Sequence, residues 1–243
     1  MSQRTRQSAL VRSGDEMARS RSKGTCSFCS GIYAKSAMSR HLKACPARKK
    51  EIEEDGGEVL SRGRQDIVIH LQVEGQYLPE YWLHIEVPGK ATLKDLDSFL
   101  RGIWLECCGH MSNFYINGDS FASEVSMPGE SGMDVPLENV VGPGMKFEYI
   151  YDFGASTELL LKVVSGRRGS TPRGSVRLMA RNQPPDIRCD SCGRPAAWIC
   201  CECSDEDRGR LCEECAETHE CGEDMLVPQV NSPRAGMCDY WGD

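Results

Sequence analysis

The chain lacks any apolar run of membrane-spanning length, and residues 1–24, rich in Arg and Ser, hold no apolar stretch of the kind a secretory signal needs. Membrane insertion and export are therefore not expected, and a cytoplasmic location is. Acid is scarce at one end: residues 1–50 carry twelve Lys and Arg against Asp15 and Glu16, although the 243-residue chain has a net charge of -7. The rest is correspondingly acidic, so the overall charge describes neither part. Also missing are a Gly-rich phosphate loop, a paired Lys and a catalytic-loop motif. Without these companions Asp152-Phe153-Gly154, which matches the metal-binding tripeptide of kinases, reads as a strand end with a glycine turn.

Cysteine, by contrast, is abundant. Most of the fourteen fall in C-x2-C pairs interleaved with His, which is the spacing of metal ligands in a reducing compartment and not of a secreted disulfide framework. An apolar content of 40% supports a folded middle with small appendages.

Residues 1–23 are polar, basic and aperiodic, and read as a disordered arm. In residues 24–50, Cys26 and Cys29 form a knuckle, and after eleven intervening residues His41 and Cys45 stand four apart, one helical turn, so that both face one way. Tyr33 and Met38 sit where small zinc fingers place their core aromatic and leucine. The segment resembles such a finger with cysteine as its last ligand and a loop shortened by one residue. Lys35, Arg40, Lys43, Arg48, Lys49 and Lys50 offer a footprint for the phosphate backbone of DNA or RNA. The alternative is a solvated basic face. One finger spans about three base pairs, so backbone charge would dominate any such contact. Residues 51–63, with an acidic run and a Gly pair, read as a linker.

Residues 64–182 read as an α+β domain, mostly antiparallel sheet with one main helix. Ile67, Ile69, Leu71 and Val73 alternate as in a half-buried strand, and residues 81–88 read as its partner. Leu96, Phe99, Leu100, Ile103 and Trp104 recur at three and four residues behind a Thr92/Asp95 cap, which predicts an amphipathic helix. Further strands are expected at Ser112–Ile116, Lys146–Asp152, Glu158–Val164 and Ser175–Arg181, the last with Val176, Leu178 and Ala180 opposite Arg177 and Arg181. Phe114, Tyr149, Tyr151 and Phe153 read as core or sheet-face aromatics. Cys107, Cys108 and His110 raise a thiol-nucleophile alternative, although nothing in the sequence orients the histidine.

Residues 187–243 supply Cys189 and Cys192, Cys200 and Cys203, Cys212 and Cys215, then His219 and Cys221. These donors suit two zinc ions. The order looks like a B-box or other cross-braced module, the first and third pairs sharing one ion and the second pair joining His219 and Cys221 on the other; serial pairing is the alternative. A single residue between His219 and Cys221 is tight for two ligands, and Cys238 could replace one of them. Cys201 is either a bystander or an alternative ligand. With Asp205, Glu206, Asp207, Glu213, Glu214, Glu217, Glu220 and Glu223 against Arg194, Arg208 and Arg210, the module should repel phosphate and suit a protein partner.

The motifs WLHIEVP at 82–88, TLKDLDSFL at 92–100, Trp104 with His110 and Phe114, and YDFG at 151–154 together resemble the plasmid pRiA4b ORF-3-like family over residues 64–182. Leu83, Asp97, Ala155 and Thr157 depart from its pattern. CGRPAAWICCEC and NSPRAGMCDYWG are similar to zinc-bearing members, which implies a role for Cys238 beside the second module. The resemblance implies an α+β fold and supplies no settled activity. The expectation is a non-enzymatic protein with two or three zinc ions, a basic finger contacting nucleic acid and an acidic module for protein contact. The alternatives are a protein-interaction adaptor without nucleic acid and, with less weight, a thiol- or carboxylate-dependent enzyme.

Overall fold

The computed structural model describes residues 22–59, 66–169, 171, 175–204, 208–238 and 240–242. The basic arm up to residue 21 and the acidic residues Asp205, Glu206 and Asp207 lie outside the described residues. Along the chain come β1 (Lys23–Cys26), β2 (Ile32–Ala34), α1 (Lys35–Ala44), α2 (Pro46–Val59), β3 (Asp66–Gly75), β4 (Trp82–Pro88) and α3 (Leu93–Leu100). A π-helical turn (Arg101–Leu105) follows, then β5 (Ser112–Ile116), β6 (Asp119–Ala122), β7 (Glu130–Gly132), α4 (Leu137–Val140) and β8 (Lys146–Tyr151). The chain continues with β9 (Thr157–Gly169), β10 (Arg177–Asn182), β11 (Trp198–Cys200), β12 (Arg210–Leu211), α5 (Glu213–Glu217) and β13 (Leu226–Pro228). This is an α+β fold with a mostly antiparallel sheet in which β6 and β7 pair in parallel.

Two compact units share these elements. The first takes the chain up to Lys90 with Val141–Lys146 and Leu159–Gln183; the second takes Ala91–Val140, Phe147–Glu158 and Pro184–Asp243. In the first, the strand order is β2-β1-β10-β4-β3-β9. The finger hairpin is therefore the edge of this sheet: Gly24 pairs with Asn182 and Cys26 with Ala180. Trp82 explains the fusion, since it is fully buried among Cys26, Met38, Leu42, Cys45, Met179 and Ala180. Its ring leaves room only for glycine, because a Cβ at Gly24 would lie 2.4 Å away.

The acidic run expected to be a linker is helical as far as Val59. Arg177 pairs with Asp55 and Glu51 on this helix, which supplies the tertiary support that a segment with a Gly pair needs. Two strand readings need correction. Strand β3 is buried on both faces from Val68 to Leu71, so Val68 and His70 are buried with Ile69, Leu71 and Val73, and Ile67 near its start is exposed; the register against β9 shifts at Val164. A shift between Leu178 and Ala180 buries Arg177 and Met179 and leaves Leu178 half-buried.

In the second unit the strand order is β8-β5-β6-β7, and β12-β11-β13 form a separate small sheet. Helix α3 opens with a capping box, Asp95 N–H donating to Thr92 Oγ1 at 3.1 Å and Thr92 N–H to Asp95 Oδ2 at 2.7 Å. It buries Leu93, Leu96 and Leu100, and the widened π turn then buries Trp104 and Leu105 together, leaving Phe99 and Ile103 half-buried. Asp97 is buried as well and accepts from Ser112 Oγ at 2.6 Å, Tyr149 OH at 2.7 Å and Arg101 Nε at 2.7 Å. Phe114, Tyr149 and Tyr151 lie in the core, whereas Phe153 is 49% exposed. No helix among the described residues is long and apolar enough to cross a membrane.

Candidate metal centres

The donors of Cys26, Cys29, His41 and Cys45 lie within 4.8 Å of one another. The knuckle folds back because Cys26 N–H donates to Gly31 O and Ser30 N–H to Cys26 O, both at 2.9 Å, with Ser30 in the left-handed region at φ 57°. Helix α1 and its capping bond, Cys45 N–H to His41 O at 2.7 Å, bring the other two donors to the same point. Cys29 Sγ stands 3.4 Å from His41 Nε2, and the His41 ring stacks on Tyr33 at 3.7 Å between centroids. Burial pushes the Cys26 thiol up to about 11, while the Gly31 amide lowers Cys29. One thiolate is thus favoured beside a buried, reluctant one, an imbalance that a divalent cation resolves.

In the C-terminal module Cys189, Cys192, Cys212 and Cys215 form one set, and Cys200, Cys203, His219 and Cys221 another. This is the cross-braced arrangement and not the serial one. The turn after α5 lets His219 and Cys221 converge across a single residue: His219 N–H donates to Ala216 O at 3.1 Å and Gly222, at φ 79°, donates to His219 O at 3.1 Å. Cys203 Sγ then lies 3.6 Å from both His219 Nε2 and Cys221 Sγ, and Cys192 Sγ lies 3.6 Å from Cys212 Sγ. A disulfide requires about 2.05 Å. A tetrahedral ion with sulfur at about 2.3 Å sets neighbouring sulfurs about 3.8 Å apart, which these separations match.

Arg194 donates to Cys192 Sγ at 3.3 Å and brings that thiol down to about 6. Cys215 and Cys221 are pushed up to about 12, chiefly by the sulfurs facing them. Crowded thiols of this kind cannot all ionise without a cation at their centre. Cys201 belongs to neither set. Beside them, Trp198, Trp241, Glu213, Glu217, Glu223 and Asp224 line a cleft of about 610 Å³.

Cys238 is not placed in the C-terminal module's sets. Its donor joins Cys107, Cys108 and His110, a fourth group that spacing does not reveal because 128 positions separate its halves, from His110 to Cys238. The thiol-nucleophile alternative finds its thiol and imidazole in contact but not its relay geometry. His110 Nε2 faces both Cys108 Sγ, at 2.9 Å, and Asp152 Oδ2, at 3.4 Å, whereas a nucleophile relay needs its carboxylate on the other ring nitrogen. Cys108 is also pushed up to about 11, first by its bond with Cys107. Asp152-Phe153-Gly154 is a turn: Asp152 Oδ1 accepts from Gly154 N–H at 2.8 Å and Ala155 N–H at 3.2 Å.

Of the six basic residues singled out above, two are engaged inside the fold. Lys35 pairs with Glu74 at 2.5 Å and donates to Pro79 O. Arg48 pairs at 2.7 Å with Glu86, which is 1% exposed and also held by Arg167. Arg40, Lys43, Lys49 and Lys50 are exposed.

Among solved structures, a protein of unknown function, MM3350 from Methanosarcina mazei Go1, is similar at 17% identity, with 48% of this chain and 68% of that chain covered and a TM-score of 0.39. No curated protein matches. The family described as plasmid pRiA4b ORF-3-like protein matches residues 65–189, just over half of the chain, across the strands and helix that carry Trp82, Asp97, Trp104 and Asp152. The chain belongs to the plasmid pRiA4b ORF-3-like family.

Proposed function

We propose that this chain is a non-enzymatic zinc protein whose finger-type donor sets hold the ion for folding, and whose acidic C-terminal module binds a cationic protein segment. The carrying observation is that each set brings together four protein donors from Cys and His. Sulfur-rich tetrahedral sets of this kind select zinc, and four protein ligands leave no position for a reacting water. The partner's chemistry follows from the cleft, in which two indoles, Trp241 being 61% exposed, stand among four carboxylates. Aromatic faces and negative charge together favour Lys or Arg side chains.

A second reading, contact of the finger end with DNA or RNA, is favoured by exposed Arg40, Lys43, Lys49 and Lys50. Its footprint is smaller than the sequence suggests, because Lys35 and Arg48 face Glu74 and Glu86.

Calorimetric titration of the metal-loaded full chain with a Lys- and Arg-rich peptide and with duplex DNA, at several salt concentrations, separates the two. The first reading expects peptide binding that weakens at least fivefold in Glu217→Gln or Trp241→Ala. DNA binding with a steep salt slope, and none to the peptide, would replace it with the second.

A further inference from the structure

Spacing along the chain points to metal sets near its two ends. We propose that Cys107, Cys108, His110 and Cys238 form a further zinc site, which fastens the C-terminal tail to the loop that follows the helix of the same unit. This extends the zinc reading to donors that it does not use.

The four donors lie within 4.8 Å of one another, with Cys107 Sγ 3.5 Å from Cys108 Sγ. That separation suits two sulfurs sharing one ion and exceeds a disulfide bond by more than an ångström. Three sulfurs and one imidazole nitrogen complete a tetrahedron of the type found in structural zinc sites.

The loop carrying three of these donors is fixed on both sides. Arg101 donates to His110 O at 2.7 Å and to Ser112 Oγ at 2.9 Å, and pairs with Glu106 at 2.8 Å. Glu106 Oε1 in turn accepts from Gly109 N–H at 2.6 Å and from Tyr151 OH at 3.2 Å. Gly109, at φ 75°, makes the turn that returns His110 toward the cysteines. The donors are thus preorganised before an ion arrives.

The tail is brought to them by a second network. Ser232 Oγ donates to Trp104 O at 2.6 Å and accepts from Arg234 N–H at 2.9 Å. The Arg234 side chain, 0% exposed, bonds Asp152 Oδ2 at 2.7 Å, Thr157 Oγ1 at 3.2 Å and Ala155 O. It also donates to Cys107 Sγ at 3.6 Å. An N–H donor on a ligand sulfur is the support that metal thiolates commonly receive, and a buried guanidinium offsets the excess negative charge of three thiolates around one divalent ion.

Backbone strain points the same way. Cys238 holds φ 48°, the left-handed region that cysteine does not favour, and Asp152 faces both His110 and Cys238. Strain persists where bound structure compensates for it. Loading the site forms three metal–sulfur bonds and one metal–nitrogen bond and sends the protons of the thiols that were neutral to solvent, with no change of oxidation state.

The test is zinc stoichiometry by elemental mass spectrometry on the full chain, together with alkylation of native protein mapped by mass. Four equivalents are expected in the parent, three in Cys238→Ser, and four in Cys201→Ser, whose cysteine lies outside every set. In the loaded parent Cys107, Cys108 and Cys238 should resist alkylation together and react together after chelation; if Cys238→Ser fails to fold, this mapping decides alone. Three equivalents in the parent, free alkylation of these cysteines while the finger-type sets stay protected, or a Cys107–Cys108 disulfide would overturn this site and leave the zinc reading standing. Absence of zinc altogether would overturn both.

Discussion

The two ends of the chain use similar donors on different foundations. The N-terminal set rests on an apolar core that it shares with a sheet: Trp82, Met179 and Ala180 come from strands well outside the finger, and Met38 and Leu42 pack onto them. In the C-terminal module the buried cluster consists largely of the donors themselves, Cys189, Cys200, Cys203 and Cys212, with Leu211, Ala216 and Leu226. An ion at the first place would reinforce a core, whereas at the second it would substitute for one. A segment with so little apolar surface cannot offset the entropy of ordering it without such a cross-link.

The largest expected effect comes from removing metal. Structural zinc contributes roughly 10 kcal/mol to the folding of small domains, so chelation should abolish hydrogen-exchange protection in β11, β12 and β13 while β3, β4 and β9 keep theirs. Equal loss in both regions would break the comparison. Trp82→Ala comes next and tests the opposite dependence. It should lower stability to denaturant by about 3–5 kcal/mol and leave zinc content unchanged; a loss of the C-terminal equivalents would show that the regions do not stand on separate foundations.

The smallest effect concerns His70 and His84, whose rings meet at 2.8 Å inside the first unit's sheet. Burial, with Arg48 adding at His70 and His70 and Lys35 adding at His84, lowers them to about 4 and about 3. Both are neutral in the folded chain while the unfolded chain takes up protons below about pH 6.5. Their stabilisation is therefore complete above that pH and lost as the pH falls toward about 4, on the order of 2 kcal/mol per imidazole between pH 7 and pH 5. Denaturant titrations at these two pH values should show a shallower pH dependence in His84→Gln than in the parent. Metal release is common to both proteins, so the difference isolates the imidazoles; identical slopes would remove them as the cause.

Much of this was readable from local spacing. The pairs in C-x2-C, the His41 and Cys45 turn and the Thr92 cap each act over a few residues, and the structure places them as expected. Strand β5 falls on its expected bounds and β8 within one residue of them. What escaped depends on distance along the chain or on irregularity. The bulge in β10 moves side chains to the opposite face and β3 is buried on both faces, and nothing in Leu178 or Ile67 announces that. Strands β6 and β7 lie in a polar, Gly-containing stretch without apolar alternation. Pairing of Arg48 with Glu86 withdraws a cation from the footprint, and grouping of Cys238 with Cys107 needs tertiary structure to be seen.

The alternation of donors in the C-terminal module has a topological consequence. Each ion there would close a loop that contains two ligands of the other, so the two loops interlock along the backbone instead of following one another. Seating one ion draws the neighbouring donors halfway together and shortens the search for the second. With both ions seated, a module joined in this way would form and come apart as a single event.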